Sequence, residues 1–191
     1  MMPGKLKQKH IVKVPKNIKI VYCEKKNIIT FIDPSLQTKS LQLKVKLILL
    51  PQNNSILVSD ICNFKTSLKK VKQLKGTTVA KIKQILIEIN YPLYHKLKFV
   101  GVGYRAFPVE SLPNQLYFKL GYSHLIYFKL PVTVKSVCLK STQLFLFGNC
   151  SYELLTQTAA NLRACKLPEP YKGKGILHNN EVIKLKKGKK I

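Results

Sequence analysis

Two successive series of short β-branched and aromatic runs, each closed by one stretch of helical period, divide the 191 residues almost evenly. In the first series Ile18–Cys23 and Ile28–Ile32 flank the polar Glu24-Lys25-Lys26-Asn27, the pattern of a hairpin with a four-residue loop. Leu41–Leu47 alternates apolar with polar residues, which sets one face on a core and points Lys44 and Lys46 outward. Ile56–Val58 makes a short fourth strand. From Gly76 the period changes: Val79, Ile82, Leu86 and Ile89 recur at helical spacing, Thr77 or Thr78 is the candidate N-cap, and Asn90 then Pro92 are stop signals. The second series repeats this order, with runs at 96–107, 115–120, 125–130, 132–139 and 143–147. A helix follows from about Ser151 to Cys165, striped by Leu155, Ala159 and Leu162, capped by Asn149 or Ser151 and ended by Pro168. A duplicated order of this kind predicts an α+β fold of two tandem similar domains, each a small antiparallel sheet packed against one helix. The expected bounds are 1–95 and 96–191, joined near 91–98, where Pro92 interrupts the first helix.

Such a chain has enough apolar surface to fold, since 46% of its residues are hydrophobic. It also carries 34 Lys and Arg against 8 Asp and Glu, a net charge of +26. A folded body of that charge repels itself unless a polyanion is near, which makes nucleic acid the first partner to consider and an ordinary metabolic enzyme a poor default. Basic membrane binders concentrate their charge in one amphipathic helix or one juxtamembrane run. Here both halves are basic, at +14 for residues 1–95 and +12 for 96–191. Arg105 and Arg163 are the only arginines, so the field comes from lysine point charges suited to backbone phosphates rather than from guanidinium forks that read base edges. Positioning on a shaped nucleic acid is expected, more than reading of its sequence.

Cys23, Cys62, Cys138, Cys150 and Cys165 are scattered, odd in number and without a C-x-x-C pair, which fits thiols in a reducing compartment better than a disulfide framework. His10, His95, His124 and His178 are equally isolated, so no metal and no cofactor is expected. Asn53-Asn54-Ser55 and Asn149-Cys150-Ser151 match the glycosylation pattern without a secretory context. No apolar run reaches the roughly 18 residues of a membrane span, and Leu47–Leu50 stops at Pro51, so no membrane partner is expected. Residues 1–16 are basic but lack Arg and Ser, and read as part of the mature protein rather than an import sequence.

Gly101-Val102-Gly103-Tyr104-Arg105-Ala106 satisfies the dinucleotide pattern G-x-G-x-x-G/A after the strand-like Leu97–Val100, and a nucleotide-cofactor enzyme built on it is the alternative function. Its context argues against that. No helix opens at the glycines, Pro108 and Pro113 lie downstream, and the ribose-binding acid expected about 20 residues on is missing. A strand in which glycines admit another backbone is the competing reading. The acids are otherwise far apart, no serine sits in a nucleophile elbow, and no small-molecule substrate is indicated.

The segment Leu167–Gly175 carries more information. Pro168 and Pro170 fix an extended path, Tyr171 offers a flat face to a base or sugar, Lys172 and Lys174 reach phosphates, and Gly173 and Gly175 would let RNA approach the backbone. A solvated loop after a helix would have the same composition. Beyond it, Lys184, Lys186, Lys187, Lys189 and Lys190 form a run expected to stay flexible until phosphates neutralise it.

This segment resembles the large-subunit ribosomal protein L-six family of bacteria and organelles. The signature runs Ala159-Ala160-Asn161-Leu162-Arg163, then Pro168-Glu169-Pro170-Tyr171-Lys172-Gly173-Lys174-Gly175-Ile176, then Glu181-Val182 and Lys187-Gly188-Lys189-Lys190. Leu97–Ala106, Leu120-Gly121-Tyr122-Ser123-His124 and Val14-Pro15 add to it, while 33–75 diverges. The resemblance implies two duplicated α+β domains. It also implies a structural role in the large ribosomal subunit, on rRNA near the factor-binding side and the sarcin-ricin loop, beside neighbouring large-subunit proteins and without catalysis. The implied rRNA contacts are Tyr104, Arg105, Ser123, His124, Arg163, Lys166, Pro168, Glu169, Pro170, Tyr171, Lys172, Gly173, Lys174 and Gly175, with the tail lysines. Lys166-Leu167 and Leu177-His178 stand where the family often has Arg. The preponderance of Lys over Arg, with abundant Ile and Asn, suggests an AT-rich genome and a mitochondrial ribosome, a bacterium or plastid being the alternative.

Overall fold

The computed structural model describes residues 10–34, 38–59, 68–112, 114–148 and 150–188. The chain divides into two compact units, Met1–Tyr91 and Pro92–Ile191. A boundary after residue 95 would cut a strand, because the first strand of the second unit already begins at Tyr94.

In the first unit, β1 (Ile11–Lys13), β6 (Ser55–Val58) and β5 (Leu47–Leu50) form one antiparallel sheet in that spatial order. The meander β2 (Lys19–Cys23), β3 (Ile28–Ile32) and β4 (Thr38–Gln42) forms a second. The helix α1 (Leu68–Asn90) packs on β1 and β6. The predicted β2–β3 hairpin is present, and Asn27 turns its loop with φ 50°, a conformation Asn tolerates better than most residues.

Two boundaries differ from expectation. The alternation over 41–47 holds, with Leu43, Val45 and Leu47 buried and Lys44 and Lys46 exposed, but β4 ends at Gln42 and β5 starts at Leu47 in the other sheet. The helix starts at Leu68, not at Gly76, and the Thr77 and Thr78 hydroxyls donate back to the carbonyls of Leu74 and Lys75 at 2.9 and 2.8 Å instead of capping. Gly76 thus sits inside a helix, with nothing within 4 Å of the Cβ position. Gly76→Ala should therefore raise the stability of the first unit by about 0.5–1 kcal/mol, seen as a higher midpoint in thermal unfolding.

The second unit repeats this pairing. β7 (Tyr94–Val100), β12 (Gln143–Phe147) and β11 (Lys135–Leu139) lie as β1, β6 and β5 do, and β8 (Arg105–Pro108), β9 (Gln115–Lys119) and β10 (Ile126–Lys129) form the meander. The helix α2 (Tyr152–Ala164) follows β12, and Ser151 caps it by accepting the Leu154 N–H; Asn149, the other candidate, lies outside the described residues. The run expected over 96–107 is two strands in different sheets, divided by the turn at Gly101–Tyr104. One strand has no counterpart among the described residues of the first unit: β13 (Gly175–His178) pairs antiparallel with the outer edge of β7.

Each unit has its own core. Phe31, Ile29, Ile56 and Ile82 are fully buried in the first, and Phe118, Leu97, Leu144, Leu162 and Ile176 in the second. Burying each such side chain contributes about 1.5–3 kcal/mol, so both units hold a core of the size a domain of about 90 residues needs. Among the described residues no helix is long and apolar enough to cross a membrane. Cys23, Cys138 and Cys165 are free thiols; Cys62 lies outside the described residues.

Candidate nucleic-acid interface

The end of α2 and the start of β13 position the proline-rich segment. After Ala164 the chain leaves the helix through Cys165 and Lys166, whose N–H groups donate to the carbonyls of Leu162 and Arg163. The segment then closes on itself, the Glu169 N–H donating to Lys174 O and the Gly173 N–H to Glu169 O, both at 2.9 Å, while Ile176 N–H returns to Lys166 O at 2.9 Å. Gly173 turns the tip with φ +70°. Gly175 has φ +154°, and a Cβ there would lie 2.6 Å from Pro168 Cα and 2.8 Å from Pro168 N. The close approach that Gly175 permits is thus to the chain's own Pro168 backbone, not to RNA. Gly173 likewise spends its N–H inside the loop, and its glycine serves the turn.

This closed loop holds Pro170, Tyr171 and Lys172 out to solvent, Tyr171 being 53% exposed. Beside it Lys166 lays its ammonium 4.0 Å from the centre of the Tyr122 ring, and the Tyr122 hydroxyl donates to Cys165 O at 3.3 Å. The His124 ring stacks on Tyr122, with centroids 5.7 Å apart and planes 20° from parallel. Lys166, Lys174, Glu169, Tyr122 and Tyr104 line an open cleft of about 450 Å³. Ammonium groups on its rim with a tyrosine–histidine stack alongside suit a ligand with phosphates and flat rings.

The structure places the other expected contacts as follows. Ser123 is exposed next to His124. Arg105 is exposed on β8, opposite Lys119 in the meander sheet. Tyr104 is no surface platform: it is 9% exposed, and its ring lies so close to Gly101 and Gly121 that Cβ atoms there would come within 2.8 and 3.0 Å. Packing of that ring is the reason for the two glycines. The Gly101–Ala106 run therefore joins two strands through a tight turn and opens no helix, so the pyrophosphate site of a nucleotide cofactor is not formed.

Arg163 also differs from expectation. Its Nε donates to Glu181 Oε2 at 2.9 Å and a second guanidinium nitrogen to Oε1, a two-pronged ion pair that takes the face of the fork suited to a phosphate. The Glu181 hydrogen bond holds the Arg163 pKa above its ordinary value, and the Arg163 hydrogen bond holds the Glu181 carboxyl below its own. Glu181 Oε2 accepts the His178 N–H as well, so this pair ties α2 to the chain leaving β13. There the His178 and His95 rings meet at 2.8 Å between nitrogens, and burial, then the neighbouring His178, lowers the His95 pKa.

The lysine-rich tail does not stand apart from the loop. Lys186 N–H donates to Pro170 O at 2.9 Å, and Leu185 Cδ2 lies 3.5 Å from where a Gly173 Cβ would be. Lys184, Lys186 and Lys187 are exposed along this contact, while Lys189 and Lys190 lie outside the described residues. Tyr122 and Glu181 stand in the family signature but not among the expected RNA contacts, and the sequence did not show what they pair with. Their partners Lys166 and Arg163 lie 44 and 18 residues away in the chain, and only the Gly121-Tyr122-Ser123-His124 run, aromatic and basic together, hinted at the first.

No family model matches the sequence, whereas individual proteins do. Large ribosomal subunit protein uL6 of Mycoplasma capricolum subsp. capricolum is 34% identical over 179 residues, which is 94% of this chain and 94% of that protein. The chain belongs to the uL6 family. The uL6 protein of Chloroherpeton thalassium is 32% identical over 178 residues, 93% of each chain. That of Buchnera aphidicola is 36% identical over 138 residues, 72% of this chain and 74% of that protein. As a uL6 protein the chain is a structural component of the large ribosomal subunit that serves translation, and not an enzyme.

Proposed function

We propose that the chain binds large-subunit rRNA through the face of its second unit built from Lys166, Tyr171, Lys172, Lys174, His124 and the tail lysines. One observation carries this reading: the tail is hydrogen-bonded to the loop through Lys186 and Pro170, which gathers two lysine clusters separated in sequence onto one surface. At +26 the protein needs a polyanion at such a surface, and lysine ammonium groups suit phosphates. Glu169, Pro168, Pro170, Gly173 and Gly175 shape the loop, Tyr104 supports the cleft from below, and Arg163 braces the helix against Glu181. Ser123 and Arg105 are peripheral contacts. The two units are independent domains in this reading, and the first one adds charge and protein contacts. The position near the factor-binding side and sarcin-ricin loop follows the family resemblance.

The named relatives are bacterial proteins, which supports a ribosome of bacterial type. The lysine-rich composition supports a mitochondrial one within that class, a bacterial cytoplasm or plastid being the alternative. Ultraviolet cross-linking of purified large subunits tests the interface. Adducts to rRNA are expected at Tyr171 and at Lys166, Lys172 or Lys174, and adducts confined to the first unit would refute the assignment.

A further inference from the structure

The duplication makes β1 and β7 equivalent residue by residue. Val14 N–H donates to Asn54 O at 2.8 Å next to the pair Lys13↔Ser55, and Phe99 N–H donates to Thr142 O at 2.9 Å next to the pair Lys98↔Gln143. Val12 and Val14 therefore match Leu97 and Phe99, and all four are buried. Because backbone groups alternate along a strand, Ile11 and Lys13 turn their N–H and C=O groups away from β6, as Lys96 and Lys98 turn theirs away from β12. In the second unit β13 takes up this outer edge: Leu177 lies opposite Lys98, the Asn179 N–H donates to Lys96 O at 3.1 Å, and α2 packs on β13 as well as on β7. In the first unit no described segment pairs with it, and among the described residues β1 is the edge of its sheet.

Beside this edge, which no described segment covers, lies a groove. It has a volume of about 1040 Å³, with Lys83, Leu86, Ile87 and Tyr91 on the helix side and Ile11, Val12 and Lys13 of β1 on the other, and it reaches inward past β1 to Ser55 and Leu50. Ile87 is 44% and Tyr91 66% exposed, so the helix presents apolar surface where α2 in the other unit covers β13. An open strand edge beside exposed apolar side chains is a template for a further strand.

We propose that this groove binds an extended segment of a neighbouring large-subunit protein, which adds as a fourth strand antiparallel to β1. The geometry of β13 defines that segment. It presents alternate backbone N–H and C=O groups to Ile11 and Lys13, and sets one branched apolar side chain opposite Val14 beneath α1, as Ile176 is set opposite Phe99. Lys13 and Lys83 are exposed on the rim of a strongly basic unit, so acidic side chains flank the apolar one. RNA has no backbone that completes a β-ladder and no means of filling the apolar groove.

The test uses assembled large subunits carrying a photoreactive phenylalanine in place of Ile87, with amide exchange at Ile11 and Lys13 measured in the free chain and in the subunit. The expected results are a cross-link to one short segment of another ribosomal protein, with apolar and acidic residues, and amide exchange at least about tenfold slower on assembly. Lys13→Pro removes an N–H that points outward and leaves the β1–β6 bonds intact, so the free chain should unfold as wild type does while the cross-link is lost. Cross-links to rRNA or to this chain itself, unchanged exchange, or a cross-link indifferent to Lys13→Pro would each overturn the proposal.

Discussion

Gly175→Val is expected to lower the stability of the second unit by about 4 kcal/mol or more, enough to lose most of a typical domain's margin. Two effects add. The φ of +154° is unfavourable for a branched side chain, and the new Cβ would meet Pro168 backbone atoms at 2.6 and 2.8 Å, which flexible side-chain motion cannot relieve. The chain must then move β13 away from β7, which exposes the fully buried Ile176 and pulls at the Glu181 carboxylate that holds Arg163. Gly173→Val provides the comparison. Its φ of +70° is also strained, but the nearest atom to the added Cβ is Leu185 Cδ2 at 3.5 Å, an ordinary contact, so a loss of about 1–2 kcal/mol is expected. Denaturant unfolding of the two variants should separate them clearly. Equal and small losses would mean that Gly175 does not hold the loop to the strand.

The residues that made the fold legible were those whose burial follows local period. Val79, Ile82 and Leu86 in α1, Leu155, Ala159 and Leu162 in α2, and Leu43, Val45 and Leu47 all lie in the cores as their spacing predicts. What stayed hidden depends on partners far along the chain. Alternation continues unbroken from Leu41 to Leu47 although the strand changes sheet, because both sheets face the same core. Thr77 and Thr78 resemble caps, but a threonine hydroxyl can equally bond back to a carbonyl one turn earlier within a helix. β13 has only Gly175, Ile176, Leu177 and His178, too few for a period, and its register is set by β7 about 80 residues before it. The loop itself was legible as an ordered, basic, aromatic segment. The purpose of its glycines was not, because the atoms they accommodate belong to Pro168 and to the turn rather than to a ligand.

Replacing Lys166, Lys172 and Lys174 together with alanine is the second large expected effect, this time on binding. None of the three is buried, so the fold should be kept. Each lost charge-assisted phosphate contact is worth about 1.5 kcal/mol at the lower end, so three together should weaken binding to large-subunit rRNA on the order of a thousandfold. Arg163→Ala should act differently. It leaves the Glu181 carboxylate without its ion-pair partner and destabilises the second unit, with binding lost only as far as folding is lost.

The salt dependence of rRNA affinity separates a phosphate-binding surface from a merely basic one. Each neutralised phosphate contributes roughly 0.7 to 0.9 to the slope of log affinity against log salt. Titrations of wild type and of the triple variant against large-subunit rRNA across a range of salt concentrations should give slopes that differ by about 2 to 3, the wild type being the steeper. Equal slopes, or an affinity of the wild type that salt leaves unchanged, would show that these lysines do not meet phosphates and that the RNA-binding face lies elsewhere.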